Sequence, residues 1–255
     1  RLGFAITPDA YGAILAHRKE IAKSAAPRVT EELAQSLKGG HALPTFLTLR
    51  ELGLLDVLLP ELATVLREHD PEHPHGPGHL FWALLEVLDA ERRRGRVFDD
   101  AVLFALLVLP IVRQSIRRAA PSGDPPPGLL TTLIEETVDT LGLRMALPNA
   151  VAHRIKQALA IVGRLSHRPD ARVATRRLAL REAFPAALEL FELRAMATGR
   201  GSDLVEEWRT VLQKAAKVRA GLPERPAPIP RGSPRARRAR TATPTATSLP
   251  TAPRS

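Results

Sequence analysis

The chain predicts an all-α fold, a multi-helix neck and body bundle followed by a disordered basic tail. Three observations carry that expectation. Of 255 residues, 44% are hydrophobic but only 4% aromatic, so a core must be built mainly from Leu, Ala and Val, a composition that favours helices over sheets. Apolar residues recur at helical spacing through most of the chain, with no strong strand pattern, internal repeat or coiled-coil heptad run. After Gly221 the composition turns to Pro, Ala, Thr, Ser and Arg, where Leu222, Ile229 and Leu249 are the large apolar residues. Such a segment buries too little surface to offset its ordering entropy.

The elements follow in order. Arg1 to Ser24 opens without a methionine and reads as the end of something longer. Within it, Thr7 before Pro8 is a helix start, a capping hydroxyl followed by a proline at the first helical position. Pro27 restarts the chain into a helix with Val29, Leu33 and Leu37 on one face, stopped by Gly39-Gly40. Phe46, Leu47, Leu49 and Leu52 stripe a third helix closed by Gly53, and a short Leu-rich turn punctuated by Pro60 follows. These parts form an expected neck over residues 1–62.

The body is expected over residues 63–220. Its loop EHDPEHPHGPGH, Glu68 to His79, precedes helices at about Leu80 to Arg93 and Asp99 to Arg118. The latter is so apolar that it should be central, with Pro110 kinking or splitting it. A Pro-rich break at 120–128 marks the best internal boundary. Beyond it come helices at Leu129 to Leu141, Pro148 to about Ser166, a segment with Leu188, Leu190, Phe191 and Leu193, and Asp203 to Ala220. Trp82 and Trp208 sit among apolar neighbours as core residues. The tail covers residues 221–255.

Charge narrows the function classes. The formal net charge is +10, of which seven arginines and one glutamate place +6 after residue 220. This balance suits a polyanion, and nucleic acid is the commonest such partner. No apolar run approaches the roughly 20 residues that span a bilayer, and no cysteine is present, which together fit a cytoplasmic protein with no membrane partner. Oligomeric state is not legible.

Three groups of residues occur in a compact order: Arg1-Leu2-Gly3-Phe4; then Arg28, Glu31, Glu32 and Leu33 as R-x-x-E-E-L; then Leu49, Glu51, Gly53, Leu54, Leu55, Leu58, Pro60, Glu61 and Leu62 as a leucine-rich L-x-E-x-G-L-L-x-x-L-x-P-E-L. Together they resemble the class II nucleotidyltransferase superfamily of bacterial poly(A) polymerases and tRNA CCA-adding enzymes. Pro148, Arg154 and Ile155, the segment with Phe184, Ala187, Phe191, Leu193, Arg194 and Ala195, and the arginine-rich tail are similar to the poly(A) polymerase branch. The resemblance implies the neck, RNA-binding body and tail of an enzyme that adds AMP from ATP to RNA 3′ ends, with ATP and Mg²⁺ as cofactors of the full-length enzyme and a DEAD-box RNA helicase as associated partner. The G-S followed by D-x-D arrangement of the family's catalytic head is not found, so no catalytic residue is assigned and this chain alone should be inactive. A CCA-adding enzyme region is the near alternative, disfavoured by the tail. A helical interaction adaptor is the alternative from another class.

Arg28, Glu31 and Glu32 are assigned as neck support, against the plainer reading of acids placed favourably in a helix first turn. Arg154, Lys156, Arg164, Arg168, Arg172, Arg176, Arg177 and Arg181 are expected to track an RNA backbone, against the plainer reading of solvated helix surface. Arg235, Arg237, Arg238 and Arg240 form an electrostatic tether in the tail, against a merely solubilising segment. His69, His73, His75 and His79 with Glu68, Asp70 and Glu72 carry metal-ligand chemistry, but a Pro/Gly loop does not fix the geometry that such spacing needs on a helix, so no metal is assigned.

Overall fold

Thr7 and Pro8 begin the first helix as their order predicts: Thr7 Oγ1 accepts from the Ala10 amide at 3.4 Å, and α1 spans Pro8–His17. The computed structural model describes residues 6–68, 76–121, 126, 128–170 and 173–220. Arg1–Arg219 and Ala220–Ser255 separate as two units, and the described architecture belongs to the first. A 3-10 turn, Arg18–Lys23, leads into α2 (Ala26–Lys38) and α3 (Ala42–Glu51). The Leu-rich turn resolves into two short helices, α4 (Leu55–Leu58) and α5 (Pro60–Arg67), separated at Leu59. Pro60 occupies the first position of α5, where its missing N–H costs nothing. The expected neck boundary at 62 therefore falls inside a helix.

The body contains α6 (Pro77–Arg93), α7 (Asp100–Ala119), α8 (Leu129–Arg144), α9 (Asn149–Leu165), α10 (Val173–Ala179), α11 (Phe184–Thr198) and α12 (Ser202–Ala220). Among the described residues there are no strands, as the composition requires. Residues Ala101 to Val112 of α7 are all buried, so that stretch of the helix is covered on every side, by α2, α5 and α6 on the chain before it and by α8, α9 and α11 after it. Helices from both sides of the Pro-rich break thus share one core. Pro110 does not split α7, which runs unbroken through it. An interior proline costs about 3 kcal/mol, less than the burial of only two or three of the surrounding Leu and Val side chains at about 1.5–3 kcal/mol each.

The short α10 has no counterpart in the sequence reading. Its only buried side chains among the described ones are Thr175, Leu178 and Ala179, too few to show a stripe. Trp208 is buried as expected, and its indole N–H reaches the Leu165 and His167 carbonyls, each at 3.1 Å, satisfying the C-terminal end of α9. Trp82 is only half-buried, with the Arg50 guanidinium 4.9 Å above its ring.

Neck and body are joined by the last turns of α6. Asp89, 2% exposed, accepts from the Ala42 amide at 2.7 Å and the Leu43 amide at 2.9 Å, capping α3, whose own N-cap residue His41 supplies no side-chain bond. Arg92 Nε donates to the Lys38 carbonyl at 2.6 Å, closing the end of α2. Both contacts converge on Gly39-Gly40. Gly40 has φ +74°, and a Cβ there would lie 3.3 Å from the Arg92 Cβ, so this turn needs glycine on two counts. No described helix is long and apolar enough to cross a membrane.

Asp89→Ala removes the cap and strands two amides in the core. We expect unfolding free energy to fall by about 2–4 kcal/mol in a urea titration, with Asp89→Asn recovering part of it through its remaining oxygen. A loss below about 0.5 kcal/mol, the size of an ordinary surface change, would remove Asp89 from this role.

Candidate nucleic-acid interface

The apolar stripe of α9, with Ile155, Leu159 and Val162 buried, decides where its cations go. Arg154 pairs with Asp99, which also caps α7 by accepting from the Ala101 amide at 2.8 Å. Lys156 pairs with Asp139 of α8 at 2.6 Å. These two expected RNA contacts are therefore engaged in fastening α9 to its neighbours. Arg164, in the last turn of α9, is exposed and has no ion pair among the described residues.

The same holds for Arg176 and Arg177, turned outward from α10 by the burial of Thr175, Leu178 and Ala179, and for Arg181 just beyond it. Arg168 is exposed and makes only long contacts, 3.6 Å to Asp203 and 3.7 Å to Glu207. Arg172, Arg235, Arg237, Arg238 and Arg240 lie outside the described residues, as do His69, Asp70, Glu72, His73 and His75. Glu68, from the same histidine-rich loop, accepts from Gln114 at 2.6 Å and from Arg118 instead.

On α2, Leu33 and Leu37 face the core, while Arg28, Glu31 and Glu32 are exposed. Arg28 and Glu32 rim a cleft of about 490 Å³ walled by Ile21, Val29, Leu49 and Leu58, and make no ion pair among the described residues.

Phenylalanine side chains are withheld from the surface, while Tyr11 and Trp82 are half-buried. Phe46, Phe81, Phe98, Phe104, Phe184 and Phe191 are all buried, leaving no phenylalanine exposed among the described residues. The described surface offers many cations and few aromatic rings, which suits phosphate backbones better than bases.

Two arginines have a different environment, which sequence reasoning missed as a site. Arg113 and Arg194 line a pocket on α7 and α11. Burial pulls the Arg113 guanidinium below its ordinary pKa, and nearby Arg117 adds to the effect. Burial likewise pulls Arg194 down to about 10, with Arg113 as the second cause. The signal was available: Arg113 falls on the same helical stripe as buried Leu106 and Leu109, and Arg194 on that of Ala187, Leu190 and Phe191.

An ion network positions α11. Arg96 bridges Glu91 at 2.9 Å and Glu192 at 3.1 Å, and Arg209 of α12 reaches Glu192 at 2.5 Å. Glu91 also accepts from Arg94 at 2.5 Å. Burial would push the Glu91 carboxyl up, but the hydrogen bonds from Arg96 and Arg94 outweigh it and hold it below the usual carboxylate range.

Fold and surface together define a class, a helical scaffold bearing unpaired cations. Within it, residues 3–66 match a protein family described as "Probable RNA and SrmB-binding site of polymerase A". That stretch is related to the RNA-binding region of poly(A) polymerases, and it covers about a quarter of the chain, from before α1 into the last turn of α5. No curated protein matches the chain.

Because the Glu91 carboxyl is held down in the folded state, its stabilisation is full above the ordinary glutamate pKa of about 4.3. It is lost as pH falls through the lower folded value. We expect the melting temperature to hold from about pH 7 to 5 and fall below about pH 4. Glu91→Gln should lose about 1.5–3 kcal/mol at neutral pH and show a shallower acid fall. An acid slope identical to that of the unsubstituted protein would place the sensitive group elsewhere.

Proposed function

We propose that this chain is the RNA-holding neck, body and tail of a poly(A) polymerase, which adds AMP from ATP to RNA 3′ ends in RNA processing and decay, in the cytoplasm. The observation that carries the reading is the match of residues 3–66 to the RNA-binding site of polymerase A. It is supported by the net charge of +10 and by the exposed, unpaired Arg164, Arg176, Arg177 and Arg181. The same family description supports a DEAD-box helicase of the SrmB kind as a protein partner of the neck. Among the described residues no group of three or more His, Asp or Glu side chains is placed to hold a metal ion. ATP and Mg²⁺ belong to the full-length enzyme that this reading implies, and no step of nucleotidyl transfer is derived from these residues.

The physical role is to hold a single strand by its backbone. Each phosphate neutralised releases a condensed counterion, so affinity falls with salt at a slope of about −0.7 per contact for single strands. With every described phenylalanine buried, sequence preference should be weak. Arg154 and Lys156 would have to surrender Asp99 and Asp139 to join the interface, so their net contribution is small.

Binding of the full chain to a short unstructured RNA, measured at several salt concentrations, tests this. Replacing Arg164, Arg176, Arg177 and Arg181 together by Gln should weaken binding and flatten the salt slope by about 2–3. Lys156→Gln should leave the slope nearly unchanged. No RNA binding at low salt would overturn the proposal.

A further inference from the structure

Arg113 of α7 and Arg194 of α11 face a pocket of about 270 Å³, bounded also by His79 and Leu80 in the first turn of α6 and by Ser166 at the end of α9. Arg200 lines it as well, and among the described residues no carboxylate does. Arg113 has no hydrogen bond or ion pair among the described residues. Arg194 donates to Ser166 Oγ at 2.8 Å and stacks over the Phe191 ring, its guanidinium carbon 4.8 Å from the centroid, but it too has no acidic partner.

Two guanidiniums held close together and largely removed from water are costly unless an opposite charge joins them. The fold supplies part of one. The C-terminal ends of α9 and α11 carry roughly half a negative charge each. Against them stand the guanidiniums of Arg113, Arg194 and Arg200 and the positive end of α6, so the described lining remains net cationic. The rest of this core shows what compensation looks like: Glu91 and Glu192 are each met by two arginines. Arg113 and Arg194 have no such acid among the described residues.

We propose that this pocket is a phosphate-binding subsite, in which Arg113 and Arg194 take one phosphate group between them and the Ser166 hydroxyl donates a third hydrogen bond. Guanidinium suits this ligand because its planar donors pair with phosphate oxygens two at a time. The apolar walls, Leu80, Ala83 and Ala197, strengthen the attraction by excluding water. The volume lies just below the roughly 300–1,000 Å³ of sites that enclose a whole small molecule, so the pocket takes a charged group rather than an entire nucleotide. The source of the phosphate is a backbone phosphate of the bound RNA. That assignment rests on the function proposed above, whereas the anion site itself does not.

Melting curves of the full chain in inorganic phosphate, against chloride at matched ionic strength, test the site. We expect phosphate at about ten times its dissociation constant to raise the melting temperature by about 3 °C. The rise should vanish in Arg113→Met, a variant that removes an unpaired half-buried charge and so should melt no lower than the unsubstituted protein in chloride. An equal rise in Arg113→Met, or no rise in either protein, overturns the subsite. Arg194→Met should behave as Arg113→Met does, and a full rise in that variant also overturns it.

Short RNA then distinguishes the sources. An affinity about tenfold weaker in Arg113→Met places an RNA phosphate in the pocket. Unchanged RNA affinity alongside a lost phosphate response keeps the subsite and overturns the RNA assignment, leaving a free phosphate as the ligand. If the unsubstituted chain binds no RNA at all, the proposed function fails while the melting experiment still decides the pocket.

Discussion

The contact between the last turns of α6 and the α2–α3 turn governs how the two halves of the helical unit meet. Burial of Leu33, Leu37, Phe46, Leu55, Leu59 and Leu62 supplies most of the energy that holds the neck down, at about 1.5–3 kcal/mol per large side chain. That attraction is non-directional and would tolerate the neck sliding by part of a helical turn. Asp89 and Arg92 remove the freedom. The carboxylate accepts only from the amides that open α3, and the guanidinium reaches only the carbonyl that closes α2, so both ends of the Gly39-Gly40 turn are fixed to one helix of the body. Lys38 with Asp100, and Thr30 with the Met145 carbonyl, add further fixed points along the same seam. The stretch related to polymerase A is thus packed into the same core as the body, and its exposed face is set by helices outside it.

Local features were legible in the sequence because their causes are local. Thr7 with Pro8, the Gly39-Gly40 stop, Pro148 before α9 and the apolar run of α7 each act within a turn or two of where they stand. What was hidden depends on distance along the chain. Asp89 lies 47 residues from the amide it caps, and nothing around it distinguishes it from a solvated acid. The pairing of Arg154 with Asp99 and of Lys156 with Asp139 follows from α9 lying against α7 and α8, which periodicity does not specify. Pro110 failed as a breaker because tertiary burial outweighed its local penalty. The short α10 was missed because three buried positions do not make a readable stripe.

The arginines show why a charge count is a poor map of a surface. The sequence reading grouped eight cations of the body as one RNA track. Among those that are described they divide by environment: Arg154 and Lys156 are spent on structure, Arg168 is loosely held, and Arg164, Arg176, Arg177 and Arg181 remain free. A free exposed arginine keeps its hydration until a phosphate arrives and contributes mainly a screened, long-range attraction. It raises encounter rates and tolerates many geometries.

A half-buried arginine behaves oppositely. Arg113 and Arg194 have already lost much of their water, so the desolvation that an exposed side chain would pay on binding has been met in folding. An arriving phosphate then meets donors held in place by packed helices, in surroundings where the attraction is less screened than at the open surface. On the proposed reading the two kinds of cation complement each other: the exposed set would gather a polyanion from solution without fixing its position, and a pocket with room for one charged group would fix it. On that reading neither set would read a base, in keeping with the burial of every described phenylalanine. The proposed strand-holding role would draw on both, because attraction alone lets a strand slide while a single fixed phosphate sets where it stops.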